Sequence, residues 1–185
     1  MKLAGQGIYL RFLIESDAPS MVALNQRNRD FFEPYLIERP EEFYTVEYQQ
    51  ASIRSGFALM DQDQKYSFGV FLRESQELIG VLSLTEIVRG PYQSCWLGYY
   101  LDQAQNGHGY TTEAVGLVVK YAFQVLGLHR IEAGVMPHNT GSIRVLEKAG
   151  FHTEGLNKKN VLINGRWEDH LHCAIVNPIP VGEDG

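Results

Sequence analysis

The sequence predicts one α/β domain built on a mixed, mostly antiparallel sheet with flanking helices, and three observations carry that expectation. A β-like run near the N-terminus leads into an apolar-periodic stretch of helical spacing. Three strand-like runs then follow one another through short turns, and beyond residue 110 helical and strand-like segments alternate. Strands joined by short turns form an antiparallel meander, and the alternation after it makes the sheet mixed.

Ile8–Leu13 is the first strand, and Ser16-Asp17 supply a cap for a helix reaching about Arg29. Between Asn28 and Glu42, Pro34 and Pro40 interrupt helicity while Phe31, Phe32 and Tyr35 crowd together, which gives a hydrophobic plug over the core, a binding loop or an irregular helical turn. Thr45 to about Met60 reads as a second helix and Asp61–Lys65 as a polar turn. Tyr66–Arg73, Leu78 to about Val88 and Ser94–Leu101 are strands rich in Val, Ile, Leu and aromatics. A helix from about Thr111 to Leu126, a strand His129–Met136, a helix Thr140–Ala149 and strands near Leu156–Ile163 and Trp167–Val176 follow. The domain thus spans 1–177, and 178–185 form a short tail that is expected to fray.

The chain has 185 residues, 44% of them hydrophobic, enough for one sizeable core. A net charge of −6 argues against a general nucleic-acid binder, whose affinity comes from clustered Lys and Arg, and suits a basic peptide or small amine. Cys95 and Cys173 have no second Cys at metal-ligand spacing and read as buried thiols. Residues 1–7 hold no apolar run of the signal-peptide kind, and no uninterrupted apolar stretch reaches membrane-spanning length, so a cytoplasmic location is expected.

The chemistry concentrates at two strand-to-helix junctions about thirty residues apart. In the first, Asn106-Gly107-His108-Gly109-Tyr110-Thr111-Thr112 leads from a strand into an apolar-periodic helix. Two glycines let the backbone turn sharply and approach a ligand, and the unpaired N–H groups of the helix's first turn sit at its positive end. That is a seat for a pyrophosphate. A dinucleotide fold would place such a loop after its first strand and add a third glycine; here the loop follows the fourth predicted strand and position 112 is Thr112. In the second junction, Asn139 is suited to cap a helix and Gly150 to end it, which architecture alone would explain.

Gly107-His108-Gly109-Tyr110 with Thr112-Glu113-Ala114, and Asn139-x-x-Ser142 with Lys148-Ala149-Gly150-Phe151, resemble the two motifs of the GNAT superfamily of N-acetyltransferases. Val88-Arg89-Gly90, Leu97-Gly98-Tyr99, His129-Arg130-Ile131, Met136-Pro137-His138-Asn139 and Asn164-Gly165-Arg166-Trp167-x-Asp169-His170 bring it nearer the branch that acetylates N-terminal Ala or Ser of ribosomal proteins. The resemblance covers nearly the whole chain. It implies a sheet splayed in the middle, with Tyr99, Tyr100 and Leu101 offering backbone partners to the pantetheine of acetyl-CoA. It further implies that Asn106, Gly107, His108, Gly109, Tyr110, Thr111 and Thr112 hold the pyrophosphate, and that Asn139 and Ser142 face the thiol end. Ala104 stands where the family usually has Arg or Gln, which removes a side-chain contact and leaves backbone N–H binding intact.

Acetyl transfer to an amine needs a neutral amine, a stabilised oxyanion and a proton for the departing thiolate. The resemblance makes Ser142 the candidate for that proton, and a backbone N–H near Leu101 the simplest oxyanion donor. Glu86 and Asp169 are the acidic residues at strand-like positions to consider as base, either of which equally suits an ion pair on the sheet surface. Where some relatives carry a glutamate, the Val161-Leu162-Ile163 strand is apolar. An α-amino group has pKa about 7.7–8.0 and Lys about 10.4, so a lysine acceptor would add about 3.5 kcal/mol of deprotonation cost. A site without a strong base suits a protein N-terminus. His108 and His138 read as solvent-facing and turn-orienting, and strand alternation separates His170 and His172 from Asp169, against a metal site. Two other functions share these features: acetylation of a small-molecule amine, with Phe31, Phe32, Tyr35 and the Trp167 hairpin walling the acceptor site, and a non-catalytic coenzyme-A-binding factor. Either a monomer or a homodimer fits the branch.

Overall fold

The computed structural model describes residues 1–178. Eight strands form one sheet in the order β1-β2-β3-β4-β5-β6-β8-β7, where β1 is Lys2–Ala4, β2 Ile8–Phe12, β3 Tyr66–Leu72, β4 Leu78–Val88, β5 Ser94–Leu101, β6 Arg130–Val135, β7 His152–Ile163 and β8 Arg166–Val176. Five helices accompany them: α1 Ala18–Arg27, the one-turn α2 Arg29–Phe32, α3 Val46–Asp61, α4 Tyr110–Gln124 and α5 Thr140–Lys148. Every neighbouring pair of strands is antiparallel except β5 and β6, which run parallel because α4 carries the chain back between them.

The sheet is sandwiched. Strand alternation sends Ile8, Leu10, Phe68, Val70, Leu82 and Leu84 to one face, where they pack with Ala114, Val115, Val118 and Ala122 of α4. It sends Tyr9, Phe71 and Val81 to the other, against Ala18, Met21 and Leu24 of α1 and Ile53 of α3. Each such large side chain taken fully out of water contributes about 1.5–3 kcal/mol, so two apolar faces demand two helical layers. Cys95 and Cys173 are both buried free thiols, as the sequence predicted, and burial pushes the Cys95 thiol up to about 12. Among the described residues no helix is long and apolar enough to cross a membrane.

One strand is additional to those predicted and one starts earlier. β1 was missing from the sequence reading because three residues carry no period; it exists by pairing with β2 at Lys2↔Arg11, Leu3↔Leu10 and Ala4↔Tyr9. β7 begins four residues earlier than predicted, at His152, since pairing with β8 carries it through two register shifts. Asp17 does not cap α1 through its side chain. Its carboxylate turns to Arg11, at 2.6 and 2.7 Å, and accepts from the Ile14 N–H at 2.8 Å. Of the expected tail 178–185, residues 179–185 lie outside the described residues.

Candidate active site

The site arises where β5 and β6 part. They pair only at Ser94↔Arg130, Cys95↔Ile131 and Trp96↔Glu132, so the edge of β5 that faces β6 has no strand partner from Leu97 to Leu101. Gly98 and Gly134 place no side chain in that gap, and a Cβ on Gly98 would meet nothing within 4 Å. A cleft of about 540 Å³ opens at the β5 end, floored by Tyr99, Tyr100 and Leu101 and walled by the first turn of α4 and one stripe of α5. A smaller pocket of about 180 Å³ adjoins it, lined by Gly98, Gly134, Met136 and His170. Tyr35, Leu36, Tyr99, Asn139 and Ser142 line both cavities.

Local sequence sets each wall. Gly107 and Gly109 have φ of +85° and +81°, the left-handed region that other residues enter only with strain, and Gly109 occupies the N-cap of α4. Asp102, buried at the end of β5, accepts from Arg27 Nε at 2.6 Å and from the Ala104 N–H at 3.1 Å, while Asn28 Oδ1 accepts from the Gln103 N–H at 2.8 Å. The loop before the glycines is thereby held to the end of α1. On the other side, Asn139 Oδ1 accepts from the Ser142 N–H at 3.1 Å and caps α5, and Gly150, at φ +93°, ends it.

Residues 8–152 match the family model Acetyltransferase (GNAT) domain. The chain belongs to the GNAT acetyltransferase family. It is 53% identical over 176 residues to the probable N-acetyltransferase YjcK of Bacillus subtilis, covering 95% of this chain and 97% of that protein. It is 32% identical to the [ribosomal protein uS5]-alanine N-acetyltransferase of Escherichia coli, over 96% of this chain and 92% of that protein. Among solved structures, the ribosomal-protein-S5-alanine acetyltransferase of Vibrio fischeri superposes with a TM-score of 0.92 at 30% identity, covering 96% of this chain and 97% of that one. The protein is thus an acetyl-CoA-dependent N-acetyltransferase with the mixed, mostly antiparallel GNAT sheet.

Within this acetyltransferase, Tyr99, Tyr100, Leu101, Asn106, Gly107, Gly109, Tyr110, Thr111, Thr112, Asn139 and Ser142 all line the larger cleft. His108 does not: its exposed ring stacks on Tyr110 at 5.4 Å, with Nδ1 3.3 Å from the Gln105 carbonyl, and only its backbone runs between the two lining glycines. Glu86 is placed elsewhere. It is exposed, with φ +51° inside the register shift between Thr85 and Val88, four residues along β4 from Leu82, the partner of Tyr99. Four strand residues span about 13 Å, and Glu86 lines neither cavity, so the structure does not bring this candidate base to the Tyr99–Ser142 pair. Asp169 accepts from the Lys159 N–H at 2.8 Å and serves its own hairpin. The aromatic segment does wall the cleft through Phe31, Phe32 and Tyr35, while the turn of the β7–β8 hairpin contacts that segment, Asn164 Nδ2 donating to the Glu33 carbonyl at 2.7 Å, and does not line the cleft itself. Trp167 itself is 60% exposed, opposite Leu162.

Two features escaped the sequence reading. The hydroxyls of Tyr99 and Ser142 lie 2.7 Å apart, and burial pushes the Tyr99 phenol up to about 12 against the opposing effect of the Ser142 hydrogen bond. Tyr99 therefore stays protonated at neutral pH. The cleft wall also includes Arg144 and Lys148, whose i, i+4 spacing was visible but resembled an ordinary solvated helix face. Among the described residues, no group of three or more His, Cys, Asp or Glu side chains is arranged to hold a metal ion.

Proposed function

We propose that this enzyme transfers the acetyl group of acetyl-CoA to the α-amino group of a protein N-terminus beginning with Ala or Ser, a ribosomal protein being the acceptor, in the cytoplasm and by direct attack in a ternary complex. The observation that carries the proposal is the meeting of two cavities at one pair of hydroxyls. The larger takes the coenzyme along β5, with its pyrophosphate on residues 106–112 and the thioester beside Tyr99 and Ser142. The smaller, about 180 Å³, takes a terminal residue with a small side chain through the gap between Gly98 and Gly134. Two free buried thiols suit a reducing compartment.

The amine attacks the thioester carbonyl from the smaller pocket, and an unpaired backbone N–H of β5 near Leu101 receives the oxyanion. The Tyr99 and Ser142 hydroxyls share a hydrogen bond in which either can donate; with Tyr99 donating, the serine's own proton passes to the departing thiolate as the C–S bond breaks, and the proton that the amine releases to water restores the pair. An α-amine with pKa about 7.7–8.0 is already partly neutral near pH 7, so water can carry its proton away. The similarity to uS5-alanine N-acetyltransferase supports this acceptor class over a small amine.

Thiol release from acetyl-CoA, measured with short peptides beginning in Ala, Ser or Met, an N-blocked peptide with one Lys, and spermidine, tests the reading. Turnover confined to Ala and Ser termini is expected. Preference for spermidine or for the lysine peptide would replace this acceptor with another, and coenzyme binding without turnover on any amine would leave a binding factor.

A further inference from the structure

The chain carries 22 acidic residues against 16 Lys and Arg, yet the described residues that line the larger cleft include no Asp or Glu. Its Lys and Arg are Arg144 and Lys148, both exposed on α5. Gly141, Arg144, Val145 and Lys148 form the i, i+3, i+4, i+7 stripe that α5 turns to the cleft. No described residue forms a hydrogen bond or ion pair with either cation, although exposed Glu147 lies between them in sequence. Two unpaired cations one helical turn apart therefore look across an acid-free cleft toward the N-terminus of α4.

Acetyl-CoA brings more negative charge than that helix terminus answers. The terminus offers the equivalent of about half a positive charge, spent on the pyrophosphate. The ribose 3′-phosphate is a monoester that carries about −1.5 to −2 at neutral pH and needs its own partner. Along α5, Ser142 marks the thiol end, and Lys148 lies six residues on, about 9 Å further along the helix.

Resting on the assignment of this cleft to the coenzyme, we infer that Arg144 and Lys148 form the recognition site for the 3′-phosphate and so select acetyl-CoA over the otherwise identical dephospho thioester. The guanidinium supplies a fork of donors to two phosphate oxygens and the ammonium a point charge beside it.

The test is titration calorimetry of the full-length protein with CoA and with 3′-dephospho-CoA, in the wild type and in the Arg144→Gln/Lys148→Gln double variant. Gln keeps helix propensity, and a thermal melt verifies that the variant is folded. Wild type is expected to bind dephospho-CoA about tenfold more weakly than CoA, a modest factor because both side chains are exposed. The variant should bind the two ligands within about twofold of each other, at the wild type's dephospho-CoA affinity, and salt should erode the wild-type preference. Equal binding of both ligands by wild type overturns the inference, as does a variant that weakens both to the same degree, which would assign the cations to the pyrophosphate. Loss of both ligands already in the wild type would overturn the coenzyme assignment together with the inference. If the double variant fails to fold, Arg144→Gln alone must show a reduced preference, and an unchanged one overturns the inference. None of these readings involves the acceptor, so they stand apart from the choice of peptide or amine.

Discussion

Arg27 Nε donates to Asp102 Oδ2 at 2.6 Å, joining the end of α1 to the first residue after β5. Asp102 is 5% exposed, and its other oxygen receives the Ala104 N–H, so one carboxylate sets both the position and the turn of the loop that precedes Gly107. Asp102→Ala removes the Nε partner of Arg27, which keeps Glu77 at 3.1 Å, and frees this loop. The expected result is a loss of about 1–3 kcal/mol in stability, together with a raised KM for acetyl-CoA. Urea denaturation and coenzyme-dependent kinetics measure the two effects; an unchanged KM with lowered stability would mean that the loop is positioned without the pair.

The opposite side of the same helix start is held by Glu113. Its carboxylate accepts from the backbone N–H groups of Gln6 and Gly7, so the β1–β2 turn docks on the first turn of α4. Gly7 must stay bare, because a Cβ there would come within 2.7 Å of the Tyr110 ring, and Tyr110 lines the cleft. Gly7→Ala should cost about 1–3 kcal/mol through overpacking and weaken CoA binding by displacing Tyr110. Calorimetry with CoA on a variant shown to be folded reads the second effect, and unaltered affinity would show that the ring yields without moving the phosphate seat.

These two contacts also show what the sequence could convey. Local patterning was legible: runs rich in Val, Ile, Leu and aromatics located β3, β4 and β5, the helix expected from Thr45 is α3, and the positive φ of Gly107 and Gly109 follows from the loop they were read into. What was hidden depends on partners far along the chain. Arg27 and Asp102 are 75 residues apart, Gln6 and Glu113 are 107, and Tyr99 and Ser142 are 43. Asp17 read as a cap because its own neighbourhood fits one, and Arg11 on the adjoining strand turned it away. Glu86 was a candidate base by its strand-like position alone, and the bulge between Thr85 and Val88 does not show in the spacing.

Gly107 separates strain from charge. A Cβ at this position meets nothing within 4 Å, so Gly107→Ala suffers mainly from φ +85°, about 1–2 kcal/mol, and should retain measurable CoA binding. Gly107→Glu adds a carboxylate to a cleft whose described lining has none, beside the pyrophosphate seat. Its CoA affinity should fall at least about tenfold below that of the Ala variant, since like charges in direct contact repel by more than 1.4 kcal/mol when partly desolvated. Equal affinities in the two variants would move the phosphate away from this glycine.

Alkaline pH should weaken the fold in a defined window. Burial lifts Tyr66 and Tyr99 from 10.0 to about 12, with Asp63 adding to the shift at Tyr66, and lifts Cys95 from 9.0 to about 12. Below pH 9 these groups are protonated in both folded and unfolded chains. Between 9 and 12 the unfolded chain sheds their protons first, so the stability present below the unfolded values is progressively lost as pH rises toward the folded ones. Urea midpoints recorded from pH 8 to 11 should fall above pH 9, and Tyr99→Phe should flatten part of that fall. A midpoint independent of pH across this range would mean that these groups ionise as easily folded as unfolded.

The same tyrosine tests the proton path. Since Tyr99 remains protonated at working pH and lies 2.7 Å from Ser142 Oγ, Tyr99→Phe removes the hydrogen-bond partner that orients the serine hydroxyl, and Ser142→Ala removes the hydroxyl itself. A group that delivers a proton in the transition state is worth about 10²–10⁴ in rate, so Ser142→Ala should lower kcat toward that range; a positioning partner contributes less, about tenfold. The two changes act on one step and should not multiply: the double variant should be about as slow as Ser142→Ala alone. KM for acetyl-CoA should stay within about threefold in each, because the coenzyme's phosphates bind elsewhere in the cleft. Multiplicative losses in kcat would mean that the two hydroxyls serve separate steps, and a rise in KM with kcat preserved would reduce the pair to a coenzyme contact.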